Sequence, residues 1–396
     1  MKVLVAEDDR ISRRMLVRDL VKWGHEVVSV ENGQQAWQQY QETEFSIVLS
    51  DWMMPEMDGL ELIRRIRESD REHYAFFILL TAKAQTEDIV EGMEAGADDF
   101  LTKPFDRTEL RARLRAGERI IELERRLAER NKQLDEANQR MKRDLDAAAT
   151  VQQSLLPTNL PSIHGVRLGW KFRPCDELAG DFLNVFQLDD KHLGLYVADV
   201  SGHGVAASLL SVAISRVLTP ELSESSLLIR PQGDSGARTG IVPPSEVAQE
   251  LNRRFPMEKS GEKYFTISYA TLNTQTRELV FSSAGHPPII HLRAQGEPQL
   301  LKQKSFAIGW FPETVYPQGE ILLEPGDRLF LYSDGLNEAR NGSAEQFSIS
   351  RIMQCLAETR EEPLEHSLSG LMQTIEAWCG ASGPKDDLSL LGIELE

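Results

Sequence analysis

The first hundred residues alternate short apolar runs with amphipathic stretches. The runs fall at residues 3–6, 27–30, 45–49, 76–80 and 100–102, and between them residues 11–23 and 59–67 carry apolar side chains at helical spacing. Near-continuous apolar strands separated by amphipathic helices predict an α/β domain with a doubly wound parallel sheet. Past residue 107 the pattern changes, and one apolar series recurs at every seventh position: Ile120, Leu127, Leu134, Met141, Ala148 and Leu155. Its companion register is mixed, with Leu123, Arg130, Ala137, Asp144 and Val151. A sustained seven-residue repeat predicts a helix paired through a coiled coil, and the polar companions make that pairing marginal enough to rearrange. A single helix packed on its own domain is the alternative.

From residue 156 onward the pattern becomes β-rich. Short strands are expected at 166–172, 193–200, 265–272, 279–283, 328–333 and 388–395, with helices at 205–218, 244–255, 349–356 and 364–379. Hairpin-length spacings with separate helices predict an α+β domain built on antiparallel sheets, and the Gly-, Pro- and Ser-rich stretch 230–244 reads as a surface loop. The chain thus divides into residues 1–120, a helical linker at 121–155, and residues 156–396.

Composition narrows the function. Of 396 residues, 44 are basic and 62 acidic, a net charge of −18, which argues against a phosphate-backbone binder and so against a transcription factor. Over residues 107–150 the count is 12 basic against 9 acidic, a solvated helical surface rather than a nucleic-acid arm. Cys175, Cys355 and Cys379 are odd in number and widely spread, so a reducing compartment is expected, with no disulfide framework or zinc-finger spacing. The opening MKVLVAEDD does not read as a signal peptide, and no run approaches the ~18 apolar residues of a membrane span. A cytoplasmic protein is the expectation.

Two sets of acids carry the chemistry. In the first domain Glu7, Asp8 and Asp9 follow the first strand, Asp51 the third, Thr81 the fourth, and Lys103 the last. Strand carboxyl ends line the ligand crevice of an open parallel sheet. Carboxylates gathered there repel one another unless a hard cation such as Mg²⁺ bridges them, and a lysine and a hydroxyl beside that cation suit a phosphoryl group. Singly, each residue has a plainer reading, as a helix cap or a surface lysine. Together, VLVAEDD, LSDWMMPEMDG, ILLTAK and LTKPF resemble the receiver domain of two-component response regulators over about residues 1–120. The resemblance implies Asp51 as phosphoacceptor, with a histidine kinase or phosphotransfer protein as donor. It implies Glu7, Asp8, Asp51 and the Met53 carbonyl around Mg²⁺, Lys103 against the phosphoryl group, Thr81 moving toward it, and Phe100 at the aromatic switch position.

The second set is Asp181 in AGDF, Asp199 in YVADVSGHG, Asp334 in LYSDGLNEA, and Asp386–Asp387 in KDDLSLL. Carboxylates at separate strand ends, with no His or Cys at zinc spacing, suit oxygen-loving Mg²⁺ or Mn²⁺, and two such ions can clamp a phosphoryl group. Asp334-Gly335 alone is a common turn, Asp386-Asp387 alone a solvated one, and His286 is read as structural. No GxSxG elbow or Cys/His signature supplies a covalent nucleophile. Together, ADVSGHGVAASLL, AGHPPII, GDRLFLYSDGLNEARN and KDDLSLL resemble the SpoIIE/RsbU branch of the metal-dependent protein phosphatases of the 2C type. The resemblance implies an α/β/β/α sandwich with two Mn²⁺ or Mg²⁺ ions. Asp199 would bridge both, the Val200 carbonyl would ligate one, Asp334 and Asp387 would complete the first site, and Asp181 would lie near the second. It also implies in-line hydrolysis without a phosphoenzyme, on a phosphorylated STAS-type anti-sigma-factor antagonist.

Two departures stand out: Ala179 where the branch usually has glycine, and Asn184 where a further acid is common. The leading expectation is a response regulator whose Asp51 controls a serine/threonine phosphatase, as a parallel homodimer through the linker. A phosphatase-shaped adaptor that binds a regulatory protein without turnover is the alternative.

Overall fold

The computed structural model describes residues 1–396 except 70–72, 83–85, 222–225 and 233–237. The chain divides into two compact units, Met1–Gln139 and Arg140–Glu396.

The first unit runs β1 (Lys2–Ala6), α1 (Arg10–Lys22), β2 (Glu26–Val30), α2 (Gly33–Glu42), β3 (Ile47–Asp51), α3 (Gly59–Glu68), β4 (Phe76–Thr81), α4 (Thr86–Glu94), β5 (Asp99–Thr102) and the start of α5 (Arg107–Gln153). The five strands are parallel, in the order β2-β1-β3-β4-β5, the doubly wound sheet that the apolar runs predict. Alternate residues feed two cores. Val3, Val5, Ile47, Leu49 and Ile78 meet Leu16, Leu20, Leu110 and Leu114 from α1 and α5, while Leu4, Ala6, Val48, Phe77 and Leu79 meet Leu60, Ile63 and Ile66 from α3. Each such fully buried side chain contributes about 1.5–3 kcal/mol, which holds the strand ends in place. Strand order reverses between β1 and β3, so the crevice opens where Glu7, Asp8 and Asp51 emerge. Asp9 instead caps α1, accepting the Ser12 N–H at 2.8 Å.

The stretch read as a coiled-coil linker is one helix of 47 residues, α5, whose first turns already pack in the first core. Residues 122–144 are all exposed, the heptad side chains Leu127, Leu134 and Met141 among them.

The second unit continues with β6 (Val166–Arg173), β7 (Phe182–Gln187), β8 (His192–Val200), α6 (Val205–Ser215), β9 (Ile229–Gln232), β10 (Arg238–Ile241), α7 (Pro244–Arg254), β11 (Phe265–Asn273), β12 (Glu278–Ala284), β13 (Ile289–Leu292), β14 (Gln299–Leu301), β15 (Gly319–Leu322), β16 (Arg328–Tyr332), α8 (Asp334–Glu338), α9 (Ser348–Glu358), α10 (Leu364–Cys379) and β17 (Leu388–Leu395). Two five-stranded sheets form, β15-β12-β11-β8-β7 and β14-β13-β16-β17-β6, with antiparallel pairing throughout. Side-chain alternation makes the layers explicit. Leu193, Leu195 and Val197 of β8 face Leu391, Ile393 and Leu395 of β17 between the sheets. Tyr196, Ala198 and Val200 turn outward to Ala207, Ile214, Val247 and Leu251 of α6 and α7. Leu388 and Leu390 turn outward to Ile352, Leu368 and Ile375 of α9 and α10. The result is helix, sheet, sheet, helix.

One expectation needs correcting. The stretch 230–244, read as a loop, contributes β9 and β10, which pair antiparallel from Ile229↔Ile241 to Gln232↔Arg238; residues 233–237 lie outside the described residues. Pro231 lacks an N–H and is tolerated because this pair forms a small sheet of its own, all edge.

Candidate functional site

Two acidic centres emerge, one in each unit. In the first, Glu7, Asp8 and Asp51 bring ligand oxygens within 4.8 Å of one another. The Lys103 Nζ donates to Glu7 Oε2 and to Asp51 Oδ2, both at 2.7 Å. Burial works against the lysine's charge, but Asp51 and Glu7 outweigh it and raise its pKa. Burial likewise raises the Glu7 carboxyl, against the lowering effect of Lys103. Glu7 Oε1 is buried without a hydrogen-bond partner, the condition a hard cation relieves. Thr81 is buried at the end of β4, and the Lys103 N–H donates to the Thr81 carbonyl at 2.7 Å. Met53 lies in the loop after β3 with its side chain exposed, and Phe100 is half-buried under the Arg113 guanidinium.

In the second unit, Asp199 on β8, Asp334 at the start of α8, Asp181 just before β7 and Asp386–Asp387 just before β17 converge from four places in the sequence. Close backbone approaches hold them together. A Cβ on Gly180 would lie 2.6 Å from the Val200 carbonyl and 2.8 Å from that of Gly202. A Cβ on Gly335 would lie 2.0 Å from the Asp387 carbonyl. Only glycine fits at either place, which explains Gly180 before Asp181 and Gly335 after Asp334.

The charges are unbalanced. Burial, then Asp199 and Asp387, raise Asp181 well above the ordinary carboxyl value. Burial, then Asp334 and Asp386, push Asp199 to about 7, and burial, then Asp386, pushes Asp334 to about 6. Asp386 is raised by burial as well. Among the described residues no ion pair to lysine or arginine engages any of these five acids. Asp181 Oδ2 is buried and unpartnered. An all-oxygen donor set with an orphaned carboxylate oxygen fits Mg²⁺ or Mn²⁺.

The adjacent acids Asp386 and Asp387, of which the resemblance implies Asp387 as the ligand, differ in their surroundings. Asp387 is buried; its Oδ1 accepts the Cys175 N–H at 2.8 Å, and its Oδ2 accepts the N–H groups of Gly180 at 2.7 Å and Asp181 at 3.3 Å. Asp386 is the acid whose charge acts most on Asp334 and, after Asp334, on Asp199. Cys175 comes near both acids, but burial and Asp387 push its thiol to about 12, so it stays protonated and offers no nucleophile. His286 is buried with Nδ1 2.7 Å from the Thr266 hydroxyl, and burial lowers its pKa to about 3; Thr266 stands opposite Asp199 in the β11–β8 register. It braces the strand pair rather than carrying protons. His203 is exposed and pairs with Asp176 at 3.1 Å. Asn184 Oδ1 accepts the Val185 N–H at 2.8 Å.

Fold and acids together define a receiver domain joined to a 2C-type phosphatase fold. Residues 189–396 match the family profile of stage II sporulation protein E (SpoIIE), and residues 3–115 match that of the response regulator receiver domain; the chain belongs to the SpoIIE family. It is 29% identical to the phosphoserine phosphatase RsbU of Bacillus subtilis over 219 residues, covering 54% of this chain and 60% of RsbU. It is 24% identical to protein IcfG of Synechocystis over 261 residues, covering 63% of this chain and 41% of IcfG. The chain thus spans about half the length of these relatives. In fold, the SiaA-PP2C domain of Pseudomonas aeruginosa superposes with a TM-score of 0.53 at 21% identity, covering 66% of this chain and 99% of that domain. Among the described residues no helix is long and apolar enough to cross a membrane.

Proposed function

We propose that this chain is a response regulator whose output is a Mn²⁺- or Mg²⁺-dependent phosphoserine/phosphothreonine protein phosphatase. The observation that carries the reading is the convergence of Asp181, Asp199, Asp334 and Asp386, whose carboxyls are raised by burial and by neighbouring acids, with no lysine or arginine ion-paired to them among the described residues. These four acids and the Val200 carbonyl would hold the ions. Asp387, taken up by three backbone N–H groups, holds the Gly180–Asp181 loop against them, so the role first assigned to Asp387 passes in large part to Asp386. The bound ions would supply an activated water and neutralise the charge on the phosphoryl group. The protein's own share is to orient those carboxylates and to keep Asp181 and Asp334 ready to release protons as ions bind.

In the receiver, the Asp51 carboxylate would attack the phosphorus of a phosphohistidine donor, forming an O–P bond as the N–P bond breaks. Lys103, 2.7 Å from Asp51 Oδ2, would neutralise the incoming phosphoryl charge, Thr81 would close on it, and Glu7, Asp8, Asp51 and the Met53 carbonyl would hold Mg²⁺. The exposed heptad leucines of α5 support a parallel homodimer paired through that helix. The similarity to the phosphoserine phosphatase RsbU supports a phosphoserine substrate, and the family resemblance implies that it is a STAS-type anti-sigma-factor antagonist.

Hydrolysis of para-nitrophenyl phosphate, and of a phosphorylated STAS protein, by the full chain with Mn²⁺ tests the reading. Asp199→Asn and Asp386→Asn are each expected to lower kcat by about 100-fold or more, the scale of losing a preorganised transition-state contact. Asp387→Asn should mainly lower Tm and raise the Mn²⁺ requirement. Full activity in Asp199→Asn would overturn the phosphatase reading, and full activity in Asp386→Asn would return the ligand role to Asp387.

A further inference from the structure

The last turn of α5 carries one buried polar side chain whose work the acids do not explain. Val151 and Gln153 are exposed, whereas Gln152 between them is buried. Its Nε2 donates to the Ala179 carbonyl at 2.6 Å, its Oε1 accepts the Ala179 N–H at 3.1 Å, and Nε2 reaches the Ser211 hydroxyl of α6 at 3.2 Å. Only one orientation of the amide satisfies both backbone groups of Ala179, so the pairing is specific. A glutamine read from sequence alone at a helix end is a solvated polar residue; here it forms a two-point clamp on a loop.

Ala179 immediately precedes Gly180 and Asp181. Asp387 holds the N–H groups of those two residues from the other side. The Leu178 carbonyl accepts the Gly204 N–H at 3.2 Å, and Gly180 lies against the Val200 and Gly202 carbonyls with no room for a Cβ. A shift of Ala179 therefore displaces Asp181 and disturbs the 199–204 segment together, because close-packed backbone has no slack to absorb it.

Resting on the phosphatase reading for its consequence, we propose that Gln152 is a positioning residue through which the end of α5 sets the geometry of the Asp181 metal ligand. The helix that leaves the receiver ends, through this amide, on the loop that carries Asp181. A rotation or withdrawal of the last turn breaks the clamp, frees Ala179 and weakens cation binding; a well-formed turn restores it. Partners that orient metal ligands from behind typically alter affinity by about 10- to 100-fold when removed.

The test uses the full chain carrying Asp8→Ala, which removes a ligand of the receiver's own pocket, so that Mn²⁺ titration calorimetry reports the second unit. Amide hydrogen exchange of segment 176–182 is followed without metal in the same protein. Gln152→Ala should speed exchange at Ala179 and weaken Mn²⁺ binding by about tenfold. Gln152→Glu keeps the acceptor for the Ala179 N–H and should fall between, while Ser211→Ala, which spares the Ala179 clamp, should bind within about twofold of the parent. If Gln152→Ala proves poorly folded by circular dichroism, Gln152→Glu alone decides. Unchanged exchange and unchanged Mn²⁺ affinity in the folded Gln152 variant would overturn the inference while leaving Mn²⁺-dependent hydrolysis by the parent intact. A parent that binds Mn²⁺ through a Gln152-dependent loop yet hydrolyses nothing would instead overturn the phosphatase reading alone.

Discussion

At the scale of single residues, the acids of the second unit set a pH dependence whose sign can be worked out. Burial and neighbouring acids hold Asp199 at about 7 and Asp334 at about 6, both above the ordinary carboxyl value of 3.8. The folded chain therefore binds these protons more tightly than the unfolded chain. Without metal, their contribution to stability is full below about pH 4 and is lost as pH rises through about 6 to 7. A bound cation reverses the balance, because it takes the place of the protons. Mn²⁺ affinity of the second unit should rise steadily from about pH 5 and level off above about pH 7, measured by calorimetry with Asp8→Ala to silence the receiver. Affinity flat across that range would mean that these carboxyls are already ionised and the site is arranged differently. That these acids converge was legible in the chain, since Asp181 and Asp334 each adjoin a glycine at a strand end and Asp199 stands at the close of an apolar strand before SGHG. What was not legible was a matter of direction. Asp386 and Asp387 are adjacent and chemically identical, and only the backbone N–H groups of Cys175, Gly180 and Asp181 around Asp387 distinguish their surroundings. Gln152 carried no signal, because burial at a helix end depends on what the loop 27 residues on presents to it.

At the scale of elements, the strands with sustained apolar runs are legible in the chain, whereas β7, β13, β14 and β15 are not. Strands β1, β3 and β4 of the receiver and the long strands β8, β11 and β17 each show apolar residues at most positions or at alternate ones, because they are buried on one or both faces. Strands β13, β14 and β15 have three or four residues each, too few for period 2 to stand out, and they form only because a longer neighbour supplies the ladder. α5 poses the opposite problem, a strong pattern whose middle stretch, residues 122–144, is exposed throughout. Ile120, Leu123, Leu127, Leu134 and Met141 are all exposed, and a solvated helix of this length gains little from propensity alone. A second copy of the same helix would bury that row, at about 1.5–3 kcal/mol per leucine fully covered. Light scattering should give twice the chain mass for the parent and the single-chain mass for Leu127→Asp/Leu134→Asp, with far-UV circular dichroism showing both folded. A variant that keeps the doubled mass would place the dimer contact elsewhere.

At the scale of the whole molecule, two independent acidic centres lie on one chain and α5 is continuous from the first unit into the second. Phosphorylation of Asp51 can alter hydrolysis only if the two states of the receiver favour different states of the second centre, and the strength of that bias is a coupling free energy. Couplings of about 1–3 kcal/mol correspond to about 5- to 150-fold in activity, a range that rearrangement of the proposed helix pair would supply without refolding either unit. The polar companion register of the heptads, with Arg130 and Asp144 where a stable seam would be apolar, would keep the proposed pairing near balance. Beryllofluoride with Mg²⁺ mimics the acyl phosphate, so its addition should change kcat/KM of the parent by about fivefold or more. Asp51→Asn should abolish the response while retaining basal hydrolysis, because Asp51 lies in the other unit from the acids proposed to hold metal. Asp199→Asn should be inactive in both states. Breaking the Ala179 clamp with Gln152→Glu should shrink the difference between the two states along with Mn²⁺ affinity, since both run through the same loop. Equal activity of the parent with and without beryllofluoride, at Mn²⁺ concentrations below saturation, would separate the two centres functionally and leave the receiver to act on something other than hydrolysis.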